Sequence, residues 1–95
     1  ANCANPVLTG VTVDGAHAEY IAADVDGTVL IPDEVPYELA APTLCAGYTV
    51  WAALRRADIR PGGRVAVVGI GGLGHLAIQY AKAAGYRVTA VTHSP

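Results

Sequence analysis

Three glycines carry the most pointed chemistry in this chain. Residues 68–75 read VGIGGLGH, which sets Gly69, Gly71 and Gly74 in a Gly-x-Gly-x-x-Gly spacing. Alone, that spacing is weak evidence for a nucleotide site. Here it leaves an apolar run, Arg64–Val68, and opens a stretch of helical periodicity, which is the context a dinucleotide loop requires. Gly69 would allow a tight turn, Gly71 would let backbone approach a pyrophosphate, and Gly74 would let the helix lie close on the strand. Ile70, Gly72 and Leu73 complete the loop, and the unpaired amides of a helix N-terminus favour anionic phosphates. No Lys follows Gly74, so the G-x-x-x-x-G-K-[ST] loop of nucleotide triphosphatases is absent. The competing reading is a glycine-rich turn that binds nothing.

About 20 residues past such glycines, an Asp or Glu commonly takes the ribose 2′-hydroxyl and repels a 2′-phosphate. This chain has Thr92, His93 and Ser94 there. Hydroxyls and an imidazole can donate to a phosphate and no carboxylate opposes it, so NADP is expected over NAD.

The elements that must hold this loop follow from the apolar pattern. Arg64–Val68 and Arg87–Val91 read as fully apolar strands, and residues 72–84 as a helix with Leu73, Leu76, Ala77, Tyr80 and Ala81 on one face, stopped by Gly85. Strand, glycine turn, helix and strand make a βαβ unit with parallel strands, and such strands need cover on both faces. Upstream, residues 7–13, 19–23 and 28–31 are short β-rich runs separated by the turn dipeptides Asp14-Gly15 and Asp26-Gly27, which suggests antiparallel sheet or barrel. Between the two textures, residues 36–54 are alanine-rich and interrupted at Pro42 and Gly47, a pattern that suits two short helices. The fold class expected is therefore α/β.

Composition excludes other classes. The chain is 53% hydrophobic and 15% charged with a net charge of −2, and its six Lys and Arg are scattered rather than gathered on a basic face, so nucleic acid is not an expected partner. No apolar stretch approaches the roughly 20 residues that span a bilayer. Neither a basic n-region nor a Met is present, and the chain reads as an internal piece without a secretory signal. Cys3 and Cys45 have no CxxC spacing, so on their own they read as small buried hydrophobes.

With these segments in view, the chain resembles the zinc-dependent medium-chain alcohol dehydrogenases, and within them the cinnamyl-alcohol-dehydrogenase-like, NADP-using branch. The likeness rests on Cys3-Ala4-Asn5-Pro6, Asp14-Gly15-Ala16-His17-Ala18-Glu19-Tyr20, Ile31-Pro32-Asp33, Leu44-Cys45-Ala46-Gly47 and Gly69-Ile70-Gly71-Gly72-Leu73-Gly74-His75. It implies that residues 1–47 end a GroES-like β-barrel catalytic domain and that residues 48–95 begin a Rossmann domain. It also implies that Cys45 is a catalytic zinc ligand and that Thr49 lies beside the nicotinamide. By the same resemblance Cys3 is a structural zinc ligand whose partners lie upstream.

The activity implied is hydride transfer between NADP(H) and a primary alcohol or aldehyde, in a cytoplasmic, homo-oligomeric parent. These 95 residues are expected to be inactive alone. A zinc-free quinone or enoyl reductase and an inert dinucleotide-binding module are the alternatives; the first typically lacks a Cys at the place of Cys45. His75 begins the cofactor helix, facing either pyrophosphate or solvent. His17 is expected to be structural, Glu19 and Tyr20 to pin the barrel, and Tyr48 and Trp51 to be core residues between the domains.

Overall fold

The computed structural model describes residues 4–93 and divides the chain into two compact units, Ala1–Leu30 and Ile31–Pro95. These are groupings by contact, and they do not bear on the domain boundary after residue 47 that the resemblance implies.

In the first unit the three β-rich runs form no strand among the described residues. One isolated bridge joins Thr9 and Val13 around a turn. The Leu8 N–H donates to Thr12 Oγ1 at 2.8 Å, and the Thr12 hydroxyl donates back to the Leu8 carbonyl at 3.3 Å. The reversal thus falls before Asp14-Gly15, at Gly10, whose φ of 81° demands glycine. The second turn dipeptide does form a turn: Val25–Gly27 is a single 3₁₀ turn, capped by the Asp24 carboxylate accepting from the Asp26 N–H at 3.0 Å. The physical reason for the missing sheet is cover. Val7, Val11, Val25, Val29 and Leu30 all lie exposed, and short β-rich runs without a packed face or a third strand are marginal in water.

The second unit begins at a turn closed by the Val35 N–H on the Pro32 carbonyl at 2.9 Å. Helix α1, Tyr37–Pro42, starts after Pro36 with Glu38 in its first turn, where an acidic side chain suits the helix dipole. The two expected helices are not separated. Thr43–Gly47 continues the right-handed spiral as a π-helical turn into α2, Tyr48–Arg56. Pro42 supplies no N–H, and the Tyr48 N–H reaches back five residues to the Thr43 carbonyl. The extra residue widens the turn without breaking the helix. Helix α2 carries Arg55 and Arg56 in its last turn and stops at Asp58, whose φ is 45°.

Strand β1, Arg64–Val68, helix α3, Gly72–Ala83, and strand β2, Arg87–Val91, match the expected βαβ unit closely. The strands are parallel, with Arg64 opposite Arg87 and Val68 opposite Val91. Helix α3 ends in a Schellman cap. The Tyr86 N–H donates to the Ala81 carbonyl and the Gly85 N–H to the Lys82 carbonyl, both at 3.0 Å, with Gly85 at φ 81°.

Helix α3 packs on both strands, on α2 and on the π-helical turn. The apolar core among the described residues is small: Ala40, Val50 and Ala81. Tyr48 and Trp51, expected as core, are 69% and 46% exposed, because no described residue covers their outer faces. Tyr20, expected to pin a barrel, is 90% exposed for the same reason, and His17 and Glu19 are exposed too. No described helix is long and apolar enough to cross a membrane.

The left-handed backbone at Gly85 is the cleanest stability test of this unit. Gly85→Ala should lower unfolding free energy by about 1–2 kcal/mol, read as an earlier urea midpoint with an unchanged m-value.

Candidate functional site

The loop between β1 and α3 is built by three glycines with three different physical reasons. Gly69 has φ 85°, and its N–H donates to the Val91 carbonyl at 2.8 Å, which carries the β1–β2 ladder one step beyond the strand. A side chain there would strain the turn wherever it pointed. At Gly74 the constraint is contact. An added Cβ would run into the Gly69 carbonyl oxygen and meet Val67 Cγ1 at 3.6 Å. The first turn of α3 therefore rests directly on the loop that precedes it.

Gly71 is different from both. Its backbone is extended, φ −96° and ψ −155°, and an added Cβ would meet nothing within 4 Å. Nor would one at Gly72. The fold itself makes no use of the missing side chain at Gly71. The space it leaves lies beside the first amides of α3, which no side chain caps and near which no acidic residue stands. Chemically, this is a cradle in which an anion could lie against backbone N–H groups and the positive end of a 12-residue helix. Ile70 and Leu73 flank it and are 39% and 52% exposed.

His75 turns back onto the loop. Its backbone N–H makes the first helical bond to the Gly71 carbonyl at 3.0 Å, and its Nδ1 lies 3.3 Å from the same oxygen. Protonated at Nδ1, the ring donates to that carbonyl and stays at the rim of the cradle, exposed.

Thr92 and His93 follow β2 and are exposed. The bond from Gly69 to Val91 brings the start of this segment to the mouth of the glycine loop. Two residues read as site candidates, Ser94 and Cys3, lie outside the described residues.

Cys45 sits in the middle of the π-helical turn as a free, exposed thiol, so the reading of it as a buried hydrophobe does not hold. Thr49 follows on α2 and is exposed as well. No cluster of three or more His, Cys, Asp or Glu occurs among the described residues. A single thiolate does not make a zinc site, so these residues by themselves do not fit the ion, and any further ligands must come from elsewhere in the protein.

Sequence reading missed one junction. Gly47 is buried, and a Cβ added there would meet Tyr80 Oη at 2.6 Å and Thr43 Cβ at 3.2 Å. The ring of Tyr80, on α3, is therefore seated on the glycine that closes the turn carrying Cys45. Pro42 and Gly47, five residues apart around TLCAG, were the visible signal, but spacing within one helix says nothing about a contact from another.

These features define an α/β chain with a Rossmann-like βαβ unit. No protein-family profile matches it. Among curated proteins it is 51% identical over 89 residues to an alcohol dehydrogenase of Geobacillus stearothermophilus, 48% over 93 residues to alcohol dehydrogenase notN of an Aspergillus species, and 52% over 90 residues to alcohol dehydrogenase 1 of Emericella nidulans. Those alignments cover 94%, 98% and 94% of this chain. The similarity runs over nearly the whole of this chain, and all three relatives are named alcohol dehydrogenase. The chain spans about a quarter of the length of these relatives, 26%, 27% and 26% respectively.

The contrast between Gly71 and Gly74 is testable by measuring fold and binding side by side in the full-length protein. Gly71→Ala should change unfolding free energy by no more than about 1 kcal/mol, the cost of Ala at a helix N-cap, yet weaken NADPH binding on the order of tenfold. Gly74→Ala should destabilise by about 1–3 kcal/mol through overpacking and weaken binding as well. Equal loss of stability in both variants would show that Gly71 serves the fold alone.

Proposed function

We propose that the protein carrying this chain is a zinc-dependent alcohol dehydrogenase of the cinnamyl-alcohol-dehydrogenase-like branch, moving a hydride between NADP(H) and a primary alcohol or its aldehyde. The observation that carries the cofactor half of this reading is the open space at Gly71 beside uncapped helix amides. The identity to proteins named alcohol dehydrogenase supports the reaction class.

When bound, NADP(H) supplies the nicotinamide carbon that accepts or delivers the hydride. This chain's share is to hold and orient. Gly69, Ile70, Gly71, Gly72, Leu73 and Gly74 would receive the pyrophosphate on backbone N–H groups, with no side chain obliged to move. At the adenosine end, Thr92 and His93 carry no negative charge to repel a 2′-phosphate, and Ser94 would add a second hydroxyl. That balance favours NADP over NAD.

Thr49 would stand near the nicotinamide. Cys45 would offer its thiolate to the catalytic zinc, and its exposure on the π-helical turn leaves the sulfur open to a metal. Cys3 would serve a structural zinc. No group of three or more His, Cys, Asp or Glu gathers among the described residues, so the other zinc ligands would come from elsewhere in the protein.

Elemental analysis of the full-length protein after dialysis against a weak chelator checks the metal half. Two zincs per chain are expected; none would remove both cysteine assignments and leave a zinc-free reductase. For the nucleotide half, His93→Asp sets a carboxylate at the ribose end. It should weaken NADPH binding on the order of tenfold, the scale of a charge–charge contact near a protein surface, while leaving NADH much less affected. An equal effect on both nucleotides would take residue 93 out of the ribose site.

A further inference from the structure

We propose that Asp14-Gly15 is a site of isoaspartate formation, and that the fold holds the same chemistry back at Asp26-Gly27. The inference is independent of the proposed activity.

Both sites carry one tripeptide, Val-Asp-Gly, at residues 13–15 and 25–27. The reacting residues are therefore identical, and what differs is how each is held. An aspartate followed by glycine can close a five-membered ring on its own backbone, because no Cβ shields the attacking nitrogen and glycine adapts to the turn required. The Gly15 nitrogen forms a bond to Asp14 Cγ. The bond from Cγ to the carboxyl hydroxyl breaks, and the hydroxyl leaves as water with the proton of the N–H. A second water then reopens the succinimide. Addition at the side-chain carbonyl restores aspartate, whereas addition at the main-chain carbonyl leaves the backbone running through the β-carbon as isoaspartate. Nothing is oxidised or reduced.

Ring closure needs a free nitrogen and a backbone able to rotate. At Asp26-Gly27 neither is available. The Gly27 N–H donates to the Asp24 carbonyl at 3.0 Å, and the Asp26 N–H donates to the Asp24 carboxylate at 3.0 Å. The Thr28 N–H and hydroxyl close the turn on the Val25 carbonyl at 3.2 and 2.9 Å. Swinging the Gly27 nitrogen onto Asp26 Cγ would break this 3₁₀ turn.

Asp14-Gly15 lies just past a turn instead of within one. The Gly10 N–H holds the Val13 carbonyl at 2.9 Å, and the hydrogen bonding stops there. Among the described residues, neither the Gly15 N–H nor the Asp14 carboxylate has a hydrogen-bond partner, and the Asp14 side chain is exposed. Carboxyl and amide nitrogen are thus left free to meet. Conversion would also be felt locally. A Cβ on Gly15 would stand 3.1 Å from Gly10 Cα, so the extra main-chain carbon would enter where the loop touches the turn before it.

The test holds the full-length protein at neutral pH for weeks, once in buffer and once unfolded in urea. Glutamyl endopeptidase, cutting after Glu19 and Glu34, then puts the two sites on separate peptides, and electron-transfer fragmentation tells isoaspartate from aspartate in each. In the native protein isoaspartate should accumulate at Asp14 on the order of tenfold faster than at Asp26, the ratio that one or two net hydrogen bonds impose. In urea the two rates should converge. Asp14→Glu keeps the charge but cannot close a five-membered ring, and it should leave the first peptide free of the product. Asp24→Ala removes the cap on the 3₁₀ turn, and it should raise the rate at Asp26 while leaving Asp14 unchanged.

Equal rates at the two sites of the native protein would overturn the proposal. So would a ratio that persists in urea, which would trace the difference to flanking sequence instead of the fold. Protection of Asp14 in the native protein, with reaction only in urea, would overturn it as well.

Discussion

Helix α3 can lie where it does only because nothing projects from Gly74. Its first turn presses on the Gly69 carbonyl oxygen, and no side chain larger than hydrogen fits between. From that contact the rest of the second unit follows. It sets the tilt at which α3 crosses β1 and β2, keeps the helix N-terminus pointing into the open space at Gly71, and carries Tyr80 to Gly47. Close packing transmits such a constraint because interiors tolerate little displacement. A methyl group at residue 74 would move all three consequences together.

The loop also shows how one residue type answers three different needs. Gly69 is required by backbone conformation and Gly74 by contact, while Gly71 is required by neither. An unneeded glycine beside uncapped amides leaves room for an anion, and the proposed cofactor site rests on that opening.

The two halves of the chain differ in how much cover they find. In the second unit a parallel pair receives α3 on one face, and small side chains such as Ala40 and Ala81 become buried. In the first unit the apolar runs meet no packed partner among the described residues, and what forms is governed by local hydrogen bonds: the Thr12 hydroxyl with Leu8, and the Asp24 carboxylate with Asp26. Local bonds close turns, but they do not pay the entropy of ordering whole strands.

By itself, the sequence determined the βαβ unit nearly to the residue. Apolar runs of strand length, a helical period from Leu73 to Ala81 and glycines at the turns are all short-range signals, and Arg64–Val68, Gly72–Ala83 and Arg87–Val91 formed where they fell. It also marked the glycines between β1 and α3 as a turn with unusual backbone freedom, and Gly69 took the positive φ that only glycine adopts readily. Whether strands form in residues 4–30 was decided elsewhere, because a strand is completed by a partner distant in sequence. So was the continuity of the helix through Pro42, where a π-helical turn absorbed the missing N–H. Tertiary structure alone set the phenol of Tyr80 over Gly47: the two residues are far apart in sequence, and only the packing of α3 against the turn fixes the space between them.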